Sequence, residues 1–372
     1  MLQRAPDTRV LNVLVATPVA ATGQGGIDRV MAALKSELER DPRGISVRFD
    51  ATRGAGSVAL SPLLVARFIG RMVAMRARGG LDLVHINLAS NGSTYRKLVI
   101  AAAARALGVP YVLHLHGADY RSFWSDERPW LSRRIRTMFE GAARIVVLGR
   151  VWRDFVAERA PRAAERIVIV PNASAPPALP HTGGGSEAHI LFLGRIGDRK
   201  GVPQLGEALH RMKALPGWRA TIAGDGHVDA ARAKAAEYGL TDRVDLPGWV
   251  GPEQVAELIA SADILVLPSF SENLPVSIIE AMAAGVAVVA TPVGAVEDIV
   301  IDGETGLLVP PGDVEALQTA LTRLVTDPAL RLKLGQGGLK LHRERLDLCP
   351  FADTIECVWS EAAGRPRTLT LR

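Results

Sequence analysis

Short apolar runs alternate along this chain with longer stretches in which apolar residues return every three or four positions, the pattern of strands and helices taken in turn. The runs predict strands at residues 10–17, 81–88, 111–115, 145–148 and 167–171, and again at 189–193, 221–223, 244–246, 264–267 and 286–290. Helical spacing is clearest at 62–80, where Leu63, Leu64, Phe68, Ile69, Met72 and Val73 interleave with Arg67, Arg71, Arg76 and Arg78, and at 351–363. Such alternation predicts an α/β class with parallel sheets covered by helices. Between the two series lies a stretch rich in proline, glycine and small residues. The expected organisation is therefore a first domain at 1–173, joined by a returning helix at 350–372, a linker at 174–186 and a second domain at 187–349.

Open α/β sheets bind ligands at the carboxyl ends of their strands, so the segments just after each run carry the candidate chemistry. After 264–267, Pro268 and Ser269 open a loop holding Glu272, Asn273 and Leu274. Pro275 then stands where a helix can begin, Val276, Ile279 and Met282 keep helical spacing, and Gly285 ends the helix. Its first turn offers unpaired N–H groups to an anion, and Glu280 is an acceptor-only carboxylate suited to sugar or ribose hydroxyls. On spacing alone, two glutamates eight apart fit a solvated helix face equally well.

Other strand ends add to this. After 10–17 comes Gly23-Gln24-Gly25-Gly26, opening a helix near Ile27; the third glycine of the dinucleotide fingerprint is missing, but bare backbone can still approach a phosphate. Arg96 and Lys97 oppose the dipole near the start of an alanine-rich helix, with Ser93 or Thr94 as its cap. His114 and His116 share one face at the end of 111–115. Arg195 and Lys200 lie among glycines after 189–193 and suit two phosphates, or a plain solvated loop. Gly224-Asp225-Gly226 and Pro247-Gly248-Trp249-Val250 follow the next two strands.

The chain's 372 residues suffice for two full cores. Its net charge of +5 conceals an asymmetry: residues 1–180 carry 26 basic and 14 acidic side chains, a balance of +12, whereas 181–372 carry 18 and 25, a balance of −7. A basic first half points to an anionic partner, an acidic lipid surface or a phosphorylated acceptor. Nucleic acid is set aside because no zinc-finger, RRM or KH signature is present. The helix at 62–80 either packs with a solvated arginine face or lies on anionic headgroups, with Arg133, Arg134 and Arg136 extending it. Cys349 and Cys357 match no metal-ligand spacing, which suits a reducing compartment. Arg4, Arg9 and Ala20-Ala21 imitate a leader peptide, but Asp7, Asn12, Thr17 and Pro18 interrupt it, so a first strand is the better reading. No apolar run approaches membrane-spanning length.

The ordered motifs resemble the retaining glycosyltransferases of family GT4, whose GT-B fold has two doubly wound, Rossmann-like domains facing a central cleft. Glu272 and Glu280 match its Glu, seven residues, Glu signature; Arg195 and Lys200 match its Gly-Arg and Lys-Gly; Gly25-Gly26, the His-Gly at His116 and the turn at 224–226 match further turns. The resemblance covers nearly the whole chain and is strongest in the second half. It implies that Glu272 and the backbone of Asn273, Leu274, Pro275 and Val276 meet the donor sugar, and that Glu280 binds the ribose. Arg195, Lys200, Gly25 and Gly26 would face the diphosphate, Gly224 and Asp225 would complete the donor site, and Val250 would lie beside the base. His116 and Glu272 become the catalytic candidates, and Arg96 and Lys97 fall on the acceptor side. The SxxRK and HLHGADYxxF segments resemble members that build bacterial exopolysaccharide on a lipid-diphosphate carrier.

The resulting expectation is transfer of a sugar, with retention, from a GDP- or UDP-linked donor to a hydroxyl of a lipid-linked oligosaccharide, in the cytoplasm at the inner face of the membrane. No cofactor is expected and, with no Asp-x-Asp pair in the chain, no metal either. A double-displacement glycosidase is disfavoured, since its two carboxyls must stand about 5 Å apart. The alternatives are a soluble acceptor, a nucleotide-sugar epimerase or a non-catalytic partner subunit.

Overall fold

The structure is a computed structural model that describes residues 10–19, 25–41, 44–54 and 57–365. Gly23, Gln24 and the leader-like residues Arg4, Arg9, Ala20 and Ala21 lie outside the described residues. The chain forms two compact units: Met1–Pro171 together with Leu348–Arg372, and Asn172–Asp347.

In the first unit six strands, β1 (Leu11–Thr17), β2 (Ile45–Ala51), β3 (Leu83–Leu88), β4 (Tyr111–Leu115), β5 (Arg144–Val147) and β6 (Ile167–Ile169), make a sheet of order β2-β1-β3-β4-β5-β6. Every neighbouring pair is parallel. All residues of β3 and β4 are buried, which is why they read as mostly apolar runs, broken by His85, Asn87 and His114, rather than as strands with one exposed face. β2 was not expected. It is an edge strand whose Ser46 and Arg48 are exposed between Ile45, Val47 and Phe49, so it makes no continuous run.

The second unit repeats the plan. Strands β7 (Ala188–Leu193), β8 (Trp218–Ala223), β9 (Val244–Gly248), β10 (Ile264–Leu267), β11 (Ala287–Ala290) and β12 (Leu307–Leu308) take the order β12-β11-β10-β7-β8-β9, again parallel. In both sheets the first strand sits inside and the chain reverses direction beside it, at β1/β3 and at β7/β10. Adjacent loops there leave the sheet on opposite sides and open a crevice at the strand ends.

Two peripheral elements matter for function. The helix Ser61–Ala77 buries Val65, Phe68 and Met72, and its Arg71 reaches both oxygens of Asp50 at 2.6 Å; Leu63, Val73, Arg67 and Arg76 remain exposed. The returning helix Leu348–Ala362 packs on the helix Gly26–Arg40 and buries Trp359, whose indole N–H donates to His85 Nδ1 at 2.9 Å. The stretch expected as a linker, 174–186, is bound to the second unit: Ser174 to His342 at 3.0 Å, His181 to the Ala262 carbonyl at 2.8 Å and the Thr182 N–H to the Ala260 carbonyl at 2.7 Å. Among the described residues no helix is long and apolar enough to cross a membrane.

Candidate functional site

Two clusters occupy the two switch points. In the second unit the loop after β7 and the loop after β10 are fastened together. The Phe270 N–H donates to the Arg199 carbonyl and the Arg199 guanidinium to the Ser271 carbonyl, both at 2.9 Å. Gly201 has φ 69°, and a Cβ there would stand 2.0 Å from the Pro268 carbonyl oxygen, so only glycine lets the loops approach this closely. The approach brings Lys200 onto Glu272, and the two form an ion pair with only 14% and 9% of their side chains exposed.

The backbone of 272–274 is held from other sides as well. Gly294, φ 61°, lies so close that a Cβ would meet the Glu272 carbonyl oxygen at 2.2 Å; the Ala295 N–H donates to the Asn273 carbonyl at 2.7 Å, and Asn172 Nδ2 to the Leu274 carbonyl at 2.8 Å. Pro275 is the extended N-cap, one residue earlier than a first-turn proline, and the helix Val276–Ala283 starts after it without a side-chain cap. Its first N–H groups and the positive end of its dipole therefore remain for a ligand. Glu280 is half-buried within that helix. Glu272, Asn273, Leu274 and Pro275 are all buried.

Arg195 behaves differently. Its side chain is 67% exposed and lies only loosely against Asp225, at 3.8 Å. The backbone ties it to the next turn, since the Ile196 N–H donates to the Asp225 carbonyl at 2.6 Å and the Gly224 N–H to the Gly248 carbonyl at 2.8 Å. Gly224 and Asp225 thus share one loop cluster with Arg195 and Lys200, and Val250 follows in the loop beyond β9, half-exposed beside an exposed Trp249. An apolar cavity of about 420 Å³, lined by Val202, Leu209, Ala231, Tyr238 and Leu246, adjoins this loop through Ile196, Gly197 and Asp198 but takes in none of Arg195, Lys200, Glu272 or Glu280.

In the first unit the strand ends carry buried polar groups. The Thr52 hydroxyl donates to the Thr17 carbonyl at 2.7 Å and accepts from the Lys97 ammonium. Lys97 is 1% exposed, and burial, then the neighbouring Arg96, pull it down to about 7, with Asp28 opposing. Arg96 is half-buried and lowered by burial and Arg53, with no hydrogen-bond partner at Nε among the described residues. Lys97 therefore does not lie on the open face of its helix: its stem runs inward to the end of β2. The expected Ser93 or Thr94 cap is corrected. The helix Gly92–Ala106 begins after Asn91 at φ 57° with no side-chain cap, while the Thr94 hydroxyl donates to the Ala89 carbonyl at 2.9 Å. Gly25, the extended N-cap of Gly26–Arg40, and Gly26 are exposed, and Asp28 in that first turn accepts the Val19 N–H at 3.1 Å.

His116, half-buried, joins this cluster through Asn87: its Nε2 lies 2.9 Å from Asn87 Oδ1. Its ring lies against His114, centroids 3.9 Å apart and planes tilted by 35°, and His114 meets His85 edge-on at 5.3 Å. Burial holds all three well below the usual histidine range, His85 at about 4 and His116 at about 3, with neighbouring histidines adding to the effect on His114 and His116. Asn87, His85, Thr52 and Gly294 are the residues that sequence reasoning missed. The signal available was small: polar His85 and Asn87 two apart within an apolar run.

Comparison with known proteins bears on the family and the fold. The family described as "Glycosyl transferases group 1" matches residues 183–341, and "Glycosyl transferase 4-like domain" matches 7–173. 2-Deoxystreptamine glucosyltransferase of Streptomyces kanamyceticus is 30% identical over 335 residues, 84% of this chain and 85% of that protein. The fold is similar to that of Anabaena Alr3699/HepE in complex with UDP and glucose, with a TM-score of 0.71 at 20% identity over 93% of this chain and 98% of that one. It is also similar to sucrose-phosphate synthase from Thermosynechococcus elongatus, with a TM-score of 0.75 at 20% identity over 94% and 98%.

Proposed function

This chain belongs to the group 1 glycosyltransferases, of GT4 type with a GT-B fold, and on that premise we propose that it transfers a sugar from a nucleoside-diphosphate donor to an acceptor hydroxyl with retention of configuration. The observation that carries this reading is the buried Lys200–Glu272 pair beside the uncapped start of Val276–Ala283. Lys200, Arg195 and the helix N-terminus stabilise the departing diphosphate electrostatically. Glu272, held by Lys200, orients sugar hydroxyls rather than attacking carbon, and Glu280 takes the ribose. The acceptor hydroxyl then attacks on the face the diphosphate leaves, giving its proton to a phosphate oxygen. The HepE neighbour holds UDP and glucose, which supports a nucleotide-sugar donor; UDP- and GDP-linked sugars are the candidates. These cations do the work a metal would do, and turnover is expected to survive chelation.

For the acceptor, we favour a lipid-diphosphate-linked oligosaccharide of exopolysaccharide synthesis, met at the inner face of the cytoplasmic membrane. The balance of +12 over residues 1–180 and the exposed Leu63 and Val73 among arginines support it. A soluble acceptor is the second reading, supported by the aminocyclitol named for the Streptomyces relative. The test is nucleoside-diphosphate release from UDP-, GDP- and ADP-sugars, alone, with bacterial lipid extract and with 2-deoxystreptamine. Release stimulated by lipid supports the first reading, and release stimulated only by the aminocyclitol moves the assignment to the second. Interconversion of the free donor without any acceptor would mean an epimerase. No donor turned over or bound would mean a non-catalytic partner.

A further inference from the structure

The three histidines of the first unit are more than apolar filling, and one neighbour decides what His116 can do. Asn87 Nδ2 donates to the Ala16 carbonyl at 3.3 Å, which turns its other amide atom, the acceptor Oδ1, toward His116. A flipped amide would set its oxygen against the carbonyl of Ala16, so this orientation is fixed by the β1 backbone. Facing an acceptor at 2.9 Å, His116 Nε2 must carry the ring proton. Nδ1 is then a bare lone pair, and it has no protein partner among the described residues.

We propose that Asn87 is a positioning residue that locks His116 as the neutral Nε2–H tautomer, so that His116 accepts a hydrogen bond at Nδ1 from a substrate hydroxyl and cannot donate one. The consequence is a specificity rule: the sugar or acceptor group placed against His116 is an O–H donor, and a deoxy, fluoro or keto group there is refused. The surroundings keep the lock intact. His85 and Asn87 approach the ring from β3 and His114, near the end of β4, lies tilted against it, and the influences on its charge are burial and the neighbouring His85. His114 is fully buried with neither ring nitrogen partnered among the described residues, so an extra proton on this stack finds no acceptor.

The catalytic consequence rests on the proposed transferase reading, but the lock itself has a readout independent of turnover. In full-length protein carrying ¹⁵N-histidine, two-bond ¹H–¹⁵N correlations are expected to show His116 protonated at Nε2 and bare at Nδ1 from pH 5 to 8. A proton at Nδ1, or a doubly protonated ring in that range, overturns the proposal. Asn87→Asp keeps the acceptor but adds charge, and should make His116 an imidazolium near pH 6 while removing turnover on the acid side. Asn87→Leu should lose the tautomer preference and lower kcat by roughly tenfold or more with little change in KM for the donor. Wild-type kcat in Asn87→Leu, alongside loss of turnover in His116→Ala, overturns the positioning role alone. Undiminished turnover in His116→Ala instead overturns the reading of His116 as a site residue.

Discussion

In the second unit the switch-point loops hold formal charges that are paired and fastened by backbone: Lys200 on Glu272, with Gly201 and Gly294 admitting close approach. In the first unit the equivalent strand ends hold basic groups whose charge is disfavoured by burial: His85, His114 and His116, which it keeps neutral, and Lys97, pulled down to about 7. A site that must stabilise a leaving dianion benefits from fixed charge that needs no reorganisation. A site that must recognise hydroxyls benefits from neutral, oriented acceptors and donors, since a buried unpaired charge there would be costly. On the proposed transferase reading, the same crevice in the same type of sheet is furnished for two different tasks.

The sharpest way to break this contrast is Lys200→Ala. Turnover should fall by about 10²–10³-fold, and unfolding by denaturant should show a loss of about 3–5 kcal/mol, because Glu272 is left buried and unpaired. Lys200→Met with Glu272→Met should restore most of the stability and none of the turnover. Restored turnover would make the pair purely structural.

Acid should separate the two units next. A histidine whose folded value lies below its unfolded value of about 6.5 binds a proton more readily in the denatured chain. The stability it permits is present above pH 6.5 and is lost as pH falls toward about 4, at about 1.4 kcal/mol per pH unit for each histidine. His85, His114 and His116 act together in the first unit, against His189 and His342 in the second. Hydrogen exchange at pH 7 and 5 should therefore show the first sheet opening sooner. Equal loss in both sheets would dissolve the distinction.

Gly294→Ala comes third. The left-handed backbone and the encroachment on the Glu272 carbonyl should cost about 1–3 kcal/mol and weaken donor binding by displacing the 272–274 backbone. Smallest in stability is Arg195→Ala, expected within about 0.5 kcal/mol of wild type because the side chain is exposed. Its turnover should nonetheless fall about tenfold or more, measured as diphosphate release, if the cation serves the ligand. Unchanged turnover would reduce Arg195 to a solvated loop residue.

Much of the second unit was legible in the sequence because the loops holding Lys200 and Glu272 follow β7 and β10, which are buried along their whole length. The run 264–267 announces where Glu272, Asn273 and Leu274 must stand, and Gly201 beside Lys200 marks a close approach. What was not legible depends on residues far apart in sequence. Lys97 reads as a helix-surface cation, and only Thr52 at the end of an edge strand too irregular to predict reveals that it points inward. Asn87 reads as one polar residue in a strand until the Ala16 carbonyl orients its amide. Ser93 and Thr94 have the chemistry of a cap, but the left-handed Asn91 starts the helix before either can act as one. Local pattern names the elements; partners supplied by other strands assign the side chains.

The returning helix Leu348–Ala362 has a consequence for how this protein is made. The ribosome delivers residues in order, and the first unit's sheet is complete by residue 169, yet Trp359 seals His85 from a segment that emerges only after the whole second unit. The second unit, contiguous from Asn172 to Asp347, can close on itself during synthesis. The first must wait with part of its interior uncovered until the helix Leu348–Ala362 leaves the exit tunnel, so a chain cut after residue 347 and released from the ribosome should hold a closed second unit tethered to an unfinished first one.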